Sequence, residues 1–230
     1  MRTPASPVTL RIKICCIKSV DEARLAIRSG ATAVGLVSEM PSGPGMIPEE
    51  RIAEIVSAVA GEVETFLLTS QREPDAIVAQ QRRTGASSLQ LVDKLPSGGL
   101  EVLRSALPDT GLIQVVHVLD EASVDLAVGV SPHCDALLLD SGSPSGPVRE
   151  LGGTGRVHDW SLSRRIVERA RAPVYLAGGL GPANVAEAIR AVRPAGVDLC
   201  TGVRTDGRLD PQKLAAFFHA VYAASAEVQR

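Results

Sequence analysis

The chain has 230 residues, 45% of them hydrophobic and 22% charged, which suits one domain with a full core better than two separate units. A net charge of −2 and an aromatic content of 3% leave neither a basic face nor stacking side chains for nucleic acid, so no nucleic-acid partner is expected. No apolar run reaches the roughly 20 residues of a membrane span, and Met1 to Pro7 lacks a signal-peptide core, so the expectation is a cytoplasmic protein without a membrane partner.

Short apolar runs recur every twenty to thirty residues, most followed by a helical pattern. That alternation is expected of βα units around a parallel sheet. In chain order the predicted strands are 11–17, 33–37, 63–68, 88–91, 112–118, 136–139, 174–176 and 196–200. Helix starts support this register. Ser19 with Glu22 three residues later reads as a capping box, Asp159 precedes a helix over 161–169, and Asp210 stands before a first-turn Pro211. The stretches 38–48 and 141–157, rich in Gly, Pro and Ser, follow the second and sixth strands directly. Eight such units predict an α/β fold, a (β/α)8 barrel in a single domain over 1–230, with 1–10 as an N-terminal extension that could be flexible. An open doubly wound sheet commonly shows a G-x-G-x-x-G turn after its first strand, and Ile17-Lys18-Ser19 has none.

Strand alternation in the first run puts Lys13 and Cys15 on one face and Ile12, Ile14 and Cys16 on the other. The isoleucines belong against helices, so Lys13 and Cys15 point to the barrel axis and Cys16 is expected to be packing. An ammonium beside a thiol favours thiolate, which would lower the Cys15 pKa from about 8.5. Cys15 as a simple buried hydrophobe is the competing reading. Asp140 ends the sixth strand and would emerge at the barrel mouth, as a proton donor or as an Asx cap. Asp198 lies inside the eighth strand, next to the first in a closed barrel, and could pair with Lys13 either structurally or catalytically. Near the C-terminus, Ala177-Gly178-Gly179-Leu180 and Thr201-Gly202-Val203 end the last two strands. Glycines there, with a helix N-terminus, make a phosphate cradle and imply a phosphorylated small-molecule ligand. The histidines lack zinc-site spacing, so no metal is expected. The four cysteines are too few and too irregular for a disulfide framework and are expected to be reduced thiols.

Across nearly its whole length the sequence resembles the phosphoribosylanthranilate isomerase family, the barrel enzymes of tryptophan biosynthesis. The matching motifs run in order. They are Lys13-Ile14-Cys15, Leu138-Leu139-Asp140-Ser141, Gly152-Gly153-Thr154-Gly155 with Asp159-Trp160, Leu176-Ala177-Gly178-Gly179-Leu180 with Pro182 and Asn184-Val185, Val197-Asp198, and Gly202-Val203. The resemblance implies an aldose–ketose isomerase carrying out an Amadori rearrangement without a cofactor, as a monomer or homodimer. It implies Cys15 as general base, Asp140 as general acid and the glycines of the last loops as the phosphate site; the residues expected to contact substrate are Lys13, Asp198, Gly155, Gly178, Gly179, Thr201, Gly202 and Arg204. Four departures stand out. Cys16 replaces a usual glycine, the loop 41–46 lacks the usual arginine for the anthranilate carboxylate, Val92-Asp93 follows Gln90-Leu91 where His-Gly is usual, and Arg204 replaces a usual glutamate. Arg204 or His117 is the expected substitute for the missing arginine. A diverged isomerase of another phosphorylated aminosugar and a non-catalytic sugar-phosphate sensor are the alternative readings.

Overall fold

A computed structural model describes residues 10–142 and 157–228. Eight parallel strands close into a barrel in the order β1 to β8: Arg11–Ile14, Ala33–Val37, Glu64–Thr69, Ser88–Leu91, Gly111–His117, Ala136–Asp140, Val174–Leu176 and Gly196–Leu199. Eight α-helices alternate with them: α1 Val20–Ser29, α2 Glu49–Ala58, α3 Pro74–Thr84, α4 Gly99–Ala106, α5 Glu121–Val130, α6 Trp160–Arg169, α7 Val185–Val192 and α8 Pro211–Val228. The seam is closed by β8 lying parallel to β1, with Lys13 opposite Asp198 and Ile14 opposite Leu199. This is the (β/α)8 architecture that the alternating pattern predicts. The expected extension falls almost wholly on residues 1–9, outside the described residues, as does the motif containing Gly155.

Two apolar layers hold the fold, and strand alternation creates both. Ile12, Ile14, Val34, Leu36, Leu67, Leu89, Leu137, Leu139 and Val197 face outward and are covered by helix faces such as Val185, Ala188, Ile189 and Val192 of α7. Each such side chain removed from water contributes about 1.5–3 kcal/mol. Inside the barrel a smaller cluster gathers Cys15, Ala33, Phe66, Leu68, Ile113, Leu138 and Tyr175, with the Phe66 and Tyr175 rings edge to face.

The helix caps follow local chemistry. Ser19 Oγ accepts from the Glu22 amide at 3.2 Å, Asp159 accepts from Ser161, and Asp210 accepts from Gln212 and Lys213 in front of Pro211. Glu22 does not complete a reciprocal box with Ser19. Its carboxylate takes the Lys18 amide at 3.0 Å and an arginine from the far end of the chain. Between β8 and α8 a two-residue hairpin, β9 Arg204–Thr205 with β10 Arg208–Leu209, turns through Asp206 and Gly207, both at positive φ, as this tight turn requires.

Strand β1 ends three residues before the predicted limit. Cys16 adopts φ +62°, a left-handed conformation that breaks the alternation and swings its side chain to the interior. The expectation that Cys16 packs outward is thereby corrected.

Candidate active site

A cavity opens at the C-terminal ends of the strands, where the strand-to-helix loops meet. Its walls include Cys15 and Cys16 from the end of β1, Met40 and Ser42 to Pro44 from the loop after β2, Gln90 and Val92, Asp140, Ala177 to Leu180, and Asp198 to Thr201. Cys15 and Asp140, from opposite parts of the strand order, therefore line one space. A larger cleft of about 790 Å³ runs between α4 and α5 and shares Val92 with it. That cleft is lined by neither Cys15 nor Asp140.

Lys13 is completely buried beneath the cavity, its ammonium 2.9 Å from Asp198 Oδ1 and 5.3 Å from the centre of the Phe66 ring. Burial alone would lower the Lys13 pKa, but the attraction of Asp198 and of Cys15 outweighs it and holds the ammonium above its ordinary value. Gly35 leaves room for this group: a Cβ there would press on Cys15 Sγ and Lys13 Nζ. Cys15 is a free, buried thiol. Its burial pushes the pKa up to about 11, while Lys13 pulls the other way and loses. The expected net lowering is thus corrected. The cation is present, but it is already engaged by Asp198, and the desolvation of sulfur dominates.

Asp140 is buried and its Oδ1 accepts the amide of Ser141 at 2.8 Å. Burial raises its pKa above the usual carboxylate value, against the pull of that amide and of His117. His117 stands opposite Asp140 in the strand register, with Nε2 3.3 Å from the Val92 carbonyl and Nδ1 unpartnered. Burial lowers its pKa, which favours the neutral imidazole, and the ring lines the cleft between α4 and α5 rather than the mouth cavity. A neutral ring is a poor replacement for an arginine.

Arg204, the other expected substitute, turns away from the cavity. Its guanidinium donates to both oxygens of Glu22 at 2.9 and 3.2 Å, to the Cys16 carbonyl at 2.5 Å, and to the carbonyls of Cys15 and Gly207 at 3.3 and 3.1 Å. The substrate-contact role expected of Arg204 is corrected: the residue clamps the end of β1 to α1 and to the β9–β10 hairpin. No arginine, lysine or histidine lies among the described residues lining the cavity.

The two glycine segments face each other. Gly178 and Gly179 have φ of +82° and +62°, and Asn184 pins their loop by donating to the Gly179 carbonyl at 3.0 Å and accepting from the Gly181 amide at 2.9 Å. A Cβ on Gly202 would collide with the Leu180 carbonyl oxygen, so only glycine lets the Thr201–Val203 turn approach the loop after β7. Of the two segments, Gly178, Gly179 and Thr201 line the cavity.

Two features escape the sequence reading. Gln90 is buried at the cavity with its Oε1 unpartnered, although its side chain type alone announces nothing. Cys16 and Cys200 form a disulfide, Cα–Cα 5.7 Å, across the β1–β8 seam, which corrects the expectation of reduced thiols for this pair. Closing the barrel is what brings together two residues 184 positions apart. Cys15 and Cys134 remain free. Among the described residues no cluster of three or more His, Cys, Asp or Glu could hold a metal ion, and no helix is long and apolar enough to cross a membrane.

Comparison with known proteins agrees with this geometry. The family model for N-(5'phosphoribosyl)anthranilate (PRA) isomerase matches residues 12–220. An N-(5'-phosphoribosyl)anthranilate isomerase of Haloferax volcanii is 37% identical over 220 residues, covering 95% of this chain and 96% of its own. One from Methanocella arvoryzae is 34% identical over 208 residues, covering 90% and 95%. Among solved structures, phosphoribosyl anthranilate isomerase from Thermotoga maritima superposes with a TM-score of 0.79 at 29% identity, covering 94% of this chain and all of that one. A phosphoribosyl anthranilate isomerase in complex with reduced 1-(o-carboxyphenylamino)-1-deoxyribulose 5-phosphate superposes with a TM-score of 0.76 at 27% identity, covering 94% and 100%. The chain belongs to the N-(5'-phosphoribosyl)anthranilate isomerase family.

Proposed function

We propose that this protein isomerises N-(5-phosphoribosyl)anthranilate to 1-(2-carboxyphenylamino)-1-deoxyribulose 5-phosphate in tryptophan biosynthesis, in the cytoplasm, as a monomer or homodimer. The observation that carries the reading is one buried thiol and one buried carboxyl lining a single cavity beside a glycine-built anion cradle. The phosphate would sit on the backbone of Gly178, Gly179, Thr201 and Gly202 at the start of α7. Asp140, whose burial strengthens its hold on a proton, would give that proton to the furanose ring oxygen as the C1–O bond breaks. The resulting iminium withdraws electrons from C2. Cys15, as thiolate, would then take the C2 proton, and the enolamine would become the ketone as C1 gains a proton and the C2 hydroxyl loses one. The chemistry needs no redox partner. Lys13 would favour the thiolate, and Asp198, held against Lys13, would meet a sugar hydroxyl from the cavity wall.

The test is loss of the fluorescence of N-(5-phosphoribosyl)anthranilate with purified protein, beside Cys15→Ser and Asp140→Asn. Each variant should lose about 10²–10⁴-fold in kcat. A wild type that binds inorganic phosphate but leaves this substrate unchanged would overturn the reading. The described cavity wall carries no cation for the anthranilate carboxylate, and this favours, as a second reading, isomerisation of another phosphorylated aminosugar. A panel of such aminosugars in the same assay separates the two.

A further inference from the structure

We propose that the Cys16–Cys200 disulfide is a reversible redox link that positions both the general base and the phosphate turn, so that reduction lowers catalytic efficiency. The inference rests on the function proposed above for its kinetic readout.

The location supports it. The last backbone bond of the β1–β8 seam runs from the Cys15 amide to the Leu199 carbonyl at 2.8 Å. One residue further along each strand the disulfide continues the seam. Cys16 is the neighbour of the base, and Cys200 immediately precedes the Thr201–Val203 turn of the anion cradle. Gly45, from the loop after β2, lies so close that a Cβ there would come within 2.5 Å of Cys16 Cβ. Three catalytic segments therefore meet at this one bond.

Cys16 also holds φ +62°, a conformation that L side chains enter at a cost. The Arg204 contacts to its carbonyl and the bond to Cys200 keep it there. Without the bond, relaxation of residue 16 would move the Cys15 side chain and release the Thr201 turn. The burial of Cys15 disfavours its thiolate, which slows exchange of this third cysteine into the neighbouring disulfide.

Reduction would use an external dithiol. Its thiolate attacks Cys200 Sγ, since Cys200 is the more exposed of the pair. The S–S electron pair leaves on Cys16 Sγ, which takes up a proton. The second thiol of the reductant attacks the mixed disulfide and frees Cys200 as a thiol, and the reductant departs as its cyclic disulfide. Two electrons and two protons have moved. Glutathione disulfide would reverse the reaction.

The experiment compares protein oxidised with glutathione disulfide and the same protein reduced with dithiothreitol. Thiol counting after denaturation should give two free thiols in the first and four in the second. Reduction should lower kcat/KM about tenfold or more, the scale of a catalytic group displaced by a fraction of an ångström to an ångström. Inorganic phosphate, titrated by calorimetry, should bind about tenfold more weakly to the reduced form. Cys16→Gly keeps the left-handed backbone accessible and should fold, but its activity and phosphate affinity should no longer respond to dithiothreitol. Cys200→Ser should be equally unresponsive, whereas Cys134→Ser should respond like the wild type.

Four free thiols in the oxidised preparation would refute the link. So would equal kcat/KM and equal phosphate affinity in the two redox forms, or a Cys16→Gly variant that still responds. Thiol count and phosphate affinity report on the link even if the substrate is another aminosugar, so failure of this inference is distinct from failure of the functional reading.

Discussion

The Lys13–Asp198 pair offers the sharpest test of how the barrel floor is built. Its side chains are 0% and 7% exposed, and the charges are 2.9 Å apart. Replacing Lys13 with methionine keeps the length of the stem but leaves the Asp198 carboxylate buried without its cation. Breaking a pair of this kind costs about 3–5 kcal/mol, against about 0–1 kcal/mol for an exposed one. For a domain of this size that is a fall in Tm of roughly 6–20 °C. The double variant Lys13→Met/Asp198→Leu removes both desolvated charges, and well-packed apolar replacements of buried pairs are often neutral, so it should recover most of the loss. What it cannot recover is chemistry. With the ammonium gone, the largest influence opposing the burial that holds Cys15 near 11 is lost, and kcat/KM should fall about tenfold or more. Alkaline stability gives an independent check. The folded-state pKa of Lys13 is raised above its ordinary 10.5, so its contribution is complete below that pH and is lost as the pH rises through the folded value. The wild type should therefore weaken above about pH 10.5 and the double variant should not share that component. Chemical denaturation of the four members of the cycle decides the matter. Single variants that each cost under about 1 kcal/mol would show that the pair behaves as if solvated, and the argument from burial would fail.

Three further outcomes follow from the same geometry. If Cys15 acts as the base and Asp140 as the acid, kcat/KM should be flat between the raised pKa of Asp140 and about 11, falling tenfold per pH unit outside that window; a loss of activity on the alkaline side that sets in well below about 11 would contradict it. Gly202→Ala drives a methyl group into the Leu180 carbonyl, so the Thr201 turn must shift and the KM for a phosphorylated substrate should rise about tenfold or more, while Gly129→Ala, which meets nothing within 4 Å, should leave kinetics unchanged. Arg204→Lys gives up the fork that joins Glu22 to the Cys15 and Cys16 carbonyls; a loss of about 2 kcal/mol in urea denaturation, with kcat falling more than KM rises, is expected.

The barrel was legible in the sequence because each strand carries its own local signal, a short apolar run ended by turn residues, and because the order of those runs needs no long-range information. Alternation also assigned Lys13 and Cys15 to the interior, and it did so correctly up to the residue where the backbone leaves the extended region. At Cys16 that logic stops. A left-handed residue is a tertiary compromise, enforced by Arg204 on its carbonyl and by Cys200 on its sulfur, and neither partner is visible within a strand-length window.

Arg204 shows the same limit from the side of charge. Its sequence position, two residues after Gly202, argued for an anion contact, and an anion contact is what it makes, but to Glu22, 182 residues away, rather than to a ligand. The residue type fixed the chemistry of the bond while the closure of the barrel chose its partner. The thiol of Cys15 follows suit: proximity of an ammonium is readable from spacing, but the outcome depends on how dry the site is and on who else holds that ammonium. A pKa is a balance between burial and neighbours, and only the neighbours on the same strand are written locally. For that reason Lys13 and Cys15 could be assigned to the barrel interior from the chain alone, while the balance that sets their proton affinities, and the bond that ties Cys16 to the end of β8, required the closed seam between β1 and β8.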